Sequence, residues 1–214
     1  MSLIDLHTHT RHGSICGYMW PDELIEQAKK IGLGGVCITE HDNFWKPERI
    51  GKLAEKHHFL VIGGAEVSTD YGEVLIFGLH ELPHNISSIE EIRRRVDRAG
   101  GVMIAAHPFR GLAATRVVND DPLKLVDSIA QRPIFRYVDD LEVLNGTSGA
   151  WERKLGWAVA NRLNMSGTGG SDAHGITAIG ACYTKFDKEI KNEADLIREI
   201  KGGRFKAGND LIFR

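Results

Sequence analysis

Short apolar runs alternate with amphipathic segments along this chain, and nearly every run is followed at once by histidine or acid. Residues 3–6 read as a first strand, with His7 and His9 directly after it. Residues 35–39 (GVCIT) read as a second, followed by His41 and Asp42. A third begins at Leu60 and ends near Glu66. Residues 73–79 (EVLIFGL) pair back on it through a turn at 70–72 and lead to His80. Residues 102–106 precede His107, 140–144 precede Asn145, and a weak strand at 165–169 precedes Asp172 and His174. A last strand covers 181–186. The segments between them have helical signals. Pro and acids open 21–31, a Ser-x-x-Glu capping box opens 88–99, and Gly100-Gly101 stops it; 49–57, 122–131, 150–161 and 193–201 complete the set. Strands alternating with helices predict an α/β fold with a mainly parallel sheet. In a closed barrel all carboxyl ends of the strands converge on one face, whereas an open sheet gathers only those beside its switch point. Titratable residues after so many strands make a barrel the simpler reading.

Composition narrows the class of partner. The 214 residues carry 27 Lys and Arg against 29 Asp and Glu, for a net charge of −2. That near-balance removes the electrostatic argument for a nucleic-acid coat or a membrane-surface protein, while leaving room for a nuclease with a local basic groove. No apolar run approaches the length of a membrane span, and the first residues lack the pattern of a secretory signal. Three cysteines, Cys16, Cys37 and Cys182, lie far apart with no Cys-x-x-Cys pair, which fits a reducing compartment. The expectation is a single cytoplasmic domain spanning residues 1–214, with no membrane partner.

The residue types at the strand ends point to metal. Side chains alternate along an extended segment, so His7 and His9 face the same side and both imidazoles can reach one ion. Imidazole together with carboxylate suits Zn, Mn or Fe. His7, His9, His41, Glu66, His80, His107, Asp172 and His174 are more donors than one ion uses. Two or more ions bridged by a carboxylate account for them better, and such sites commonly cleave phosphate esters. Glu66 is the candidate bridge.

Five segments carry a family resemblance: DLHTHT at 5–10, ITEHD at 38–42, GAEVST at 64–69, AAHP at 105–108 and GSDAH at 170–174. Together they resemble the polymerase-and-histidinol-phosphatase (PHP) family, over nearly the whole chain up to about Phe186. The resemblance implies a distorted (β/α)7 TIM-like barrel with a di- or trinuclear site that hydrolyses phosphoesters. It implies that His7, His9, Glu66 and Asp172 hold one ion, that Glu66, His80 and His107 hold a second, and that His41 and His174 belong to a third. Family members usually supply a further acid or His after the His-x-His. Here Cys16 falls nearest that place and His12 competes with it; a thiolate there favours zinc over manganese.

The expected activity is that of a stand-alone metal-dependent phosphoesterase, with two or three divalent ions (Zn, Mn or Fe). Its substrate would be a small phosphorylated molecule, such as a phosphomonoester or a nucleotide mono- or bisphosphate, with histidinol phosphate and short nucleic acid left open. Asp172 and Glu66 act through the metals. Arg110 and Arg116, on the loop after His107, are the candidates to fix phosphate oxygens, and Arg204 is a weaker one. Glu40 and Asp42 are read as orienting His41, Asn145 as contacting substrate or shaping a turn, and His57, His58 and His84 as incidental. Two rivals come from other classes: an amidohydrolase-type barrel acting on C–N bonds, and a non-catalytic metal-binding barrel. The oligomeric state is left open.

Overall fold

The structure, a computed structural model, describes residues 1–12, 17–83, 86–112 and 121–211. Its strands are β1 (Ser2–Asp5), β2 (Gly35–His41), β3 (Leu60–Thr69), β4 (Gly72–Phe77), β5 (Val102–Ala105), β6 (Asp140–Asn145), β7 (Thr168–Gly170), β8 (Tyr183–Phe186) and β9 (Phe205–Gly208). The helices are α1 (Pro21–Lys30), α2 (Pro47–His57), α3 (Ile89–Ala99), α4 (Val126–Ala130), α5 (Ala150–Leu163) and α6 (Glu193–Lys201). The strands form one curved, nearly closed sheet in the order β7-β6-β5-β4-β3-β2-β1-β8-β9.

The α/β barrel expected from sequence is present, but the sheet is mixed rather than mainly parallel. β1–β2, β2–β3, β5–β6 and β6–β7 pair parallel, while β3–β4, β4–β5, β1–β8 and β8–β9 pair antiparallel. β4 is the strand that matters here. The tight connection at 70–72 forces it to run opposite to β3, because so short a link cannot cross over to a parallel partner. Two smaller differences concern the ends of elements. The helix expected over 122–131 is a 3₁₀ turn, Pro122–Leu125, followed by the short α4, and β9 was not foreseen.

The period-two alternation of the strands sorts their side chains. One face carries Ile4, Leu6, Cys37, Ile62, Leu75, Phe77, Val102 and Ile104, which pack together with Leu196 and Ile200 of α6. The other face packs Val36, Ile38 and Val61 against α1 and α2, and Val74, Ile76 and Met103 against α3 and α5. The first set therefore fills the barrel, and α6 plugs its lower end. That plug is pinned by backbone groups: Gly78 N donates to Glu193 Oε1 (2.9 Å), Lys201 Nζ donates to Gly100 O (2.9 Å), and Ile190 N donates to Ser2 Oγ (2.9 Å). Each large apolar side chain buried this way contributes about 1.5–3 kcal/mol. With the lower end filled, the upper end is left for polar groups.

A candidate metal centre at the upper rim

The rim closes where the chain beyond β1 meets the chain beyond β7. Asp5 makes the join: its Oδ1 accepts from His7 N (3.3 Å) and Ser171 N (2.8 Å), and its Oδ2 accepts from Gly180 N (3.0 Å). Burial pushes its carboxyl up to about 6, although those hydrogen bonds pull the other way. Past this join the segments lie parallel, with Asp172 N donating to His7 O (2.8 Å) and His9 N to Ala173 O (2.9 Å). His7 and His9 are thereby set beside Asp172 and His174. Thr184 completes the seam lower down, its Oγ1 accepting from Gly169 N and donating to Gly169 O, each at 2.9 Å.

Five imidazoles and three carboxylates converge on this rim. His7 Nε2 and His9 Nε2 are 3.1 Å apart, and both lie 3.3 Å from Glu66 Oε2. Asp172 Oδ1 is 3.3 Å from His9 Nε2 and 3.5 Å from His7 Nε2. On the other side of the same carboxylate, Glu66 Oε1 is 2.7 Å from His107 Nε2, with Glu73 Oε2 3.7 Å from that nitrogen. His41 Nδ1 is 2.9 Å from Glu66 Oε2, and the rings of His41 and His174 stack on His9 with centroids 4.3 and 4.4 Å away. Among the described residues, four sets of donor atoms lie close enough to share an ion: His7/His9/Glu66, His7/His107/Asp172, His9/His41/His174 and His41/Glu66/Glu73.

The donors fit divalent cations. Glu66 Oε2 is buried and has no hydrogen-bond partner among the described residues, although three imidazole nitrogens surround it. A buried carboxylate oxygen left in that state is costly unless a cation satisfies it. Burial alone raises Glu66, yet the imidazoles of His7, His107 and His41 outweigh it and hold the group well below the usual carboxylate range. Asp172 behaves alike: burial raises it, while His9, His7 and Arg110 bring it down on balance. Burial favours neutral His7, but the Glu142 and Glu66 carboxylates overcome that and raise it. Glu66 also raises His41, whereas burial lowers His174.

Glu142, in the middle of β6, supports the centre from below. Its Oε1 is 3.1 Å from His7 Nδ1, and its Oε2 accepts from His107 N (2.8 Å) and Asn145 Nδ2 (3.0 Å). A proton held at His7 Nδ1 leaves the Nε2 lone pair free to face the cluster, as is usual for metal-binding histidines. His107 and Asp172 have positive φ, 28° and 53°, so both stand in a backbone region L-residues seldom occupy. Gly170 makes room for the arrangement. A Cβ there would stand 2.5 Å from His7 Cβ and 2.7 Å from Glu142 Oε1.

Several sequence expectations need correcting. His80 is not at the rim. β4 runs downward, so its trailing residues emerge at the plugged end, where His80 is half exposed and 3.5 Å from Glu193 Oε2. The leading residue of the same strand, Glu73, reaches the rim instead. Glu73 and Glu142 were both missed. The hairpin at 70–72 was a signal for the first, and an acid set in the apolar run LEVL was a signal for the second. Glu40 does not simply flank His41: it holds Thr10 through N and Oγ1, and its Oε2 lies 4.0 Å from His9 Nδ1. Asp42 ties the ends of β2 and β3 together, its Oδ1 accepting from Ser68 N (2.9 Å). Arg204 is paired in bidentate fashion with Glu199 of α6, the helix at the plugged end, rather than standing at the rim. His57, read as incidental, is buried and held between Asp22 (2.5 Å) and Glu26 (2.9 Å).

Arg110 stands half exposed over the rim and is hydrogen-bonded to Asp172 Oδ2 and to Thr147 Oγ1. Asn145 shapes the turn, accepting from Thr147 N (3.0 Å) while donating to Glu142. Cys16, Arg116 and His84 lie outside the described residues. His12 stands away from the donor sets, with its ring edge-on to Trp20 at 4.9 Å.

Comparison with known proteins adds the family. The PHP domain matches residues 5–125, and a PHP-associated model matches 151–205. A probable histidinol-phosphatase of Thermotoga maritima is 26% identical over 214 aligned residues, covering 88% of this chain and 91% of that one. In fold the chain is similar to a protein of Bifidobacterium adolescentis assigned as a metal-dependent phosphoesterase (TM-score 0.62, 20% identity, 99% and 98% of the two chains). It is also similar to an amidohydrolase of Chromobacterium violaceum (TM-score 0.58, 16% identity, 80% and 87%). At such identities these two likenesses concern architecture. With more than half of its residues matched by the domain, and with the histidines and acids gathered on one rim, the chain belongs to the PHP family of metal-dependent phosphoesterases.

Proposed function

We propose that this chain hydrolyses small phosphomonoesters at a centre of two or three divalent ions. The observation that carries the reading is the position of Glu66, one oxygen turned to His107 and the other to His7, His9 and His41. A carboxylate shared in this way suits a bridge between ions, and the imidazole and carboxylate donors suit Zn, Mn or Fe. In this reading His7, His9, Glu66 and Asp172 hold the first ion. Glu66, His107 and Glu73 would serve the second, and His41 and His174 would belong to a third. Ions held there supply neutralisation of phosphoryl charge and activation of water.

The protein's own groups do the rest. Water's oxygen bonds to phosphorus as the ester P–O bond breaks, and a proton passes to the departing alcohol. Arg110 fixes phosphoryl oxygens by turning its guanidinium from Asp172 to the substrate, a bidentate role suited to Arg. Glu142 keeps the His7 proton on Nδ1, and the buried walls of the rim keep His7, His9 and Glu66 dry. Metal analysis of the purified protein, beside turnover of phosphomonoesters, bisphosphates, histidinol phosphate, short oligonucleotides and dihydropyrimidine-type amides, tests the reading. Two or more bound ions are expected, with phosphatase activity lost in Asp172→Ala. Metal-free protein, or activity unchanged in that variant, overturns it, and turnover of the amides alone favours the amidohydrolase-type chemistry.

A further inference from the structure

A cavity of quite different character from the metal centre lies against α1 and α2. It occupies about 240 Å³ between the start of α1 and the length of α2, and His12, Trp20, Trp45, Arg49 and Lys52 are among the residues that line it. Its surfaces are planar. The Arg49 guanidinium lies 3.9 Å from the Trp45 ring centroid, and Arg11 lies 5.2 Å from that of Trp20. His12 meets Trp20 edge-on at 4.9 Å and Trp45 at 6.1 Å. The Trp20 indole is 44% exposed, an apolar plane kept in contact with water.

Charge in the cavity is one-sided. Asp22, the acid on its wall, is taken up by Lys56 (2.7 Å) and His57 (2.5 Å). Arg49 and Lys52 enter no salt bridge among the described residues. The cavity is also tied to the rim. His12 is three residues from His9 and Trp45 four from His41, so at full extension they lie within about 11 and about 14 Å of those ligands. Tyr18 N donates to His174 O (2.8 Å), which anchors the segment leading to Trp20. None of these residues is needed to hold an ion, and while Trp45 is buried in the core formed with α1 and α2, the ring of Trp20 stays exposed.

We propose that this cavity is the leaving-group subsite and that its occupant is a nucleobase, making nucleotides the substrate class. The inference rests on the phosphoesterase reading for the phosphate end only. Nucleobases stack on indole and on the flat face of guanidinium, and cationic surroundings strengthen that stacking. A sugar phosphate without a base has no plane to offer the exposed Trp20 indole and the Arg49 guanidinium. The ester phosphorus then sits at the metal rim, the ribose spans the gap, and the base rests against Trp20 and Arg49.

Binding to the metal-loaded protein tests this without turnover. The probes are two uncleavable phosphonates, in which a methylene replaces the ester oxygen, one built on adenosine and one on bare ribose. Stacking of one base predicts that the adenosine compound binds roughly tenfold tighter by calorimetry. Trp20→Ala should bring the two within about twofold of each other by weakening the adenosine compound alone, Trp20→Phe should restore most of the difference, and Arg49→Gln should reduce it. Equal binding by the unaltered protein, or parallel loss of both ligands in Trp20→Ala, overturns the subsite. The two readings fail separately. A base preference that depends on Trp20, in protein that cleaves no phosphomonoester, keeps the subsite and removes the phosphoesterase. Cleavage of phosphomonoesters without base preference does the reverse.

Discussion

Glu142→Gln isolates what the residue beneath the metal centre does. The substitution keeps size and shape but exchanges one acceptor oxygen for an NH2 donor. Glu142 now faces three donors: His7 Nδ1 at 3.1 Å, His107 N at 2.8 Å and Asn145 Nδ2 at 3.0 Å. If the amide oxygen turns to His7, the NH2 opposes the His107 and Asn145 N–H groups. If it turns the other way, the NH2 faces His7, whose Nδ1 must then accept, moving the ring proton to Nε2 and blocking the lone pair aimed at the cluster. Either orientation leaves at least one buried donor without a partner, at a cost of about 1–3 kcal/mol. Loss of a residue that orients a metal-binding histidine typically weakens metal binding about 10- to 100-fold, or about 1.4–2.8 kcal/mol. The two figures agree, so metal affinity should fall by that factor. Competition with a chromophoric chelator measures it, and circular dichroism checks that the variant is folded. Asn145→Ala removes a neighbour of Glu142 without touching His7, and should change affinity less. A folded Glu142→Gln protein with unchanged metal affinity refutes the reasoning.

Three other outcomes follow from the geometry. Glu73→Gln should lower the number of ions retained per chain on dialysis, while His80→Ala leaves it unaltered, since only Glu73 is near His107 and Glu66; elemental analysis of both variants decides. Gly170→Ala places a Cβ against His7 and Glu142, so it should cost roughly 1–3 kcal/mol in urea unfolding and weaken metal binding together. Asp140 is pushed up to about 6 by burial, despite accepting from Gly167 N and Ser166 N. Its folded value stands above the unfolded one, so its contribution is full below about pH 4 and is lost as pH rises through about 6, by about 3 kcal/mol. Relative to the unaltered protein, Asp140→Asn should therefore gain stability between pH 4.5 and pH 7.5 in urea titrations; a constant difference across that range contradicts the assignment.

How far the site was legible depended on how local its determinants are. His7, His9, His41, Glu66, His107, Asp172 and His174 were all read from short segments that follow strands, and the structure brings every one of them to a single rim. Capping signals placed α3 well, with Ser88 accepting from Glu91 N and Gly100 ending the helix at φ 76°. His80 was misread because the end of a strand specifies a rim only once the strand's direction is known. Glu142 was missed because an acid within an apolar run is interpretable only when its partners, here His7 and His107, are in view.

By itself the chain's order of residues pointed to an α/β barrel and to a cluster of metal-ligating donors: alternation sets which side chains share a face, and residue type sets which of them can bind a cation. Tertiary structure decided the rest. The downward course of β4 exchanged His80 for Glu73, the Asp5 join set the His-x-His segment beside Asp172, and the approach of α1 to α2 brought Trp20, Trp45 and His12 around one cavity. These contacts link segments far apart along the chain, and their distances follow from how the sheet closes rather than from any local pattern.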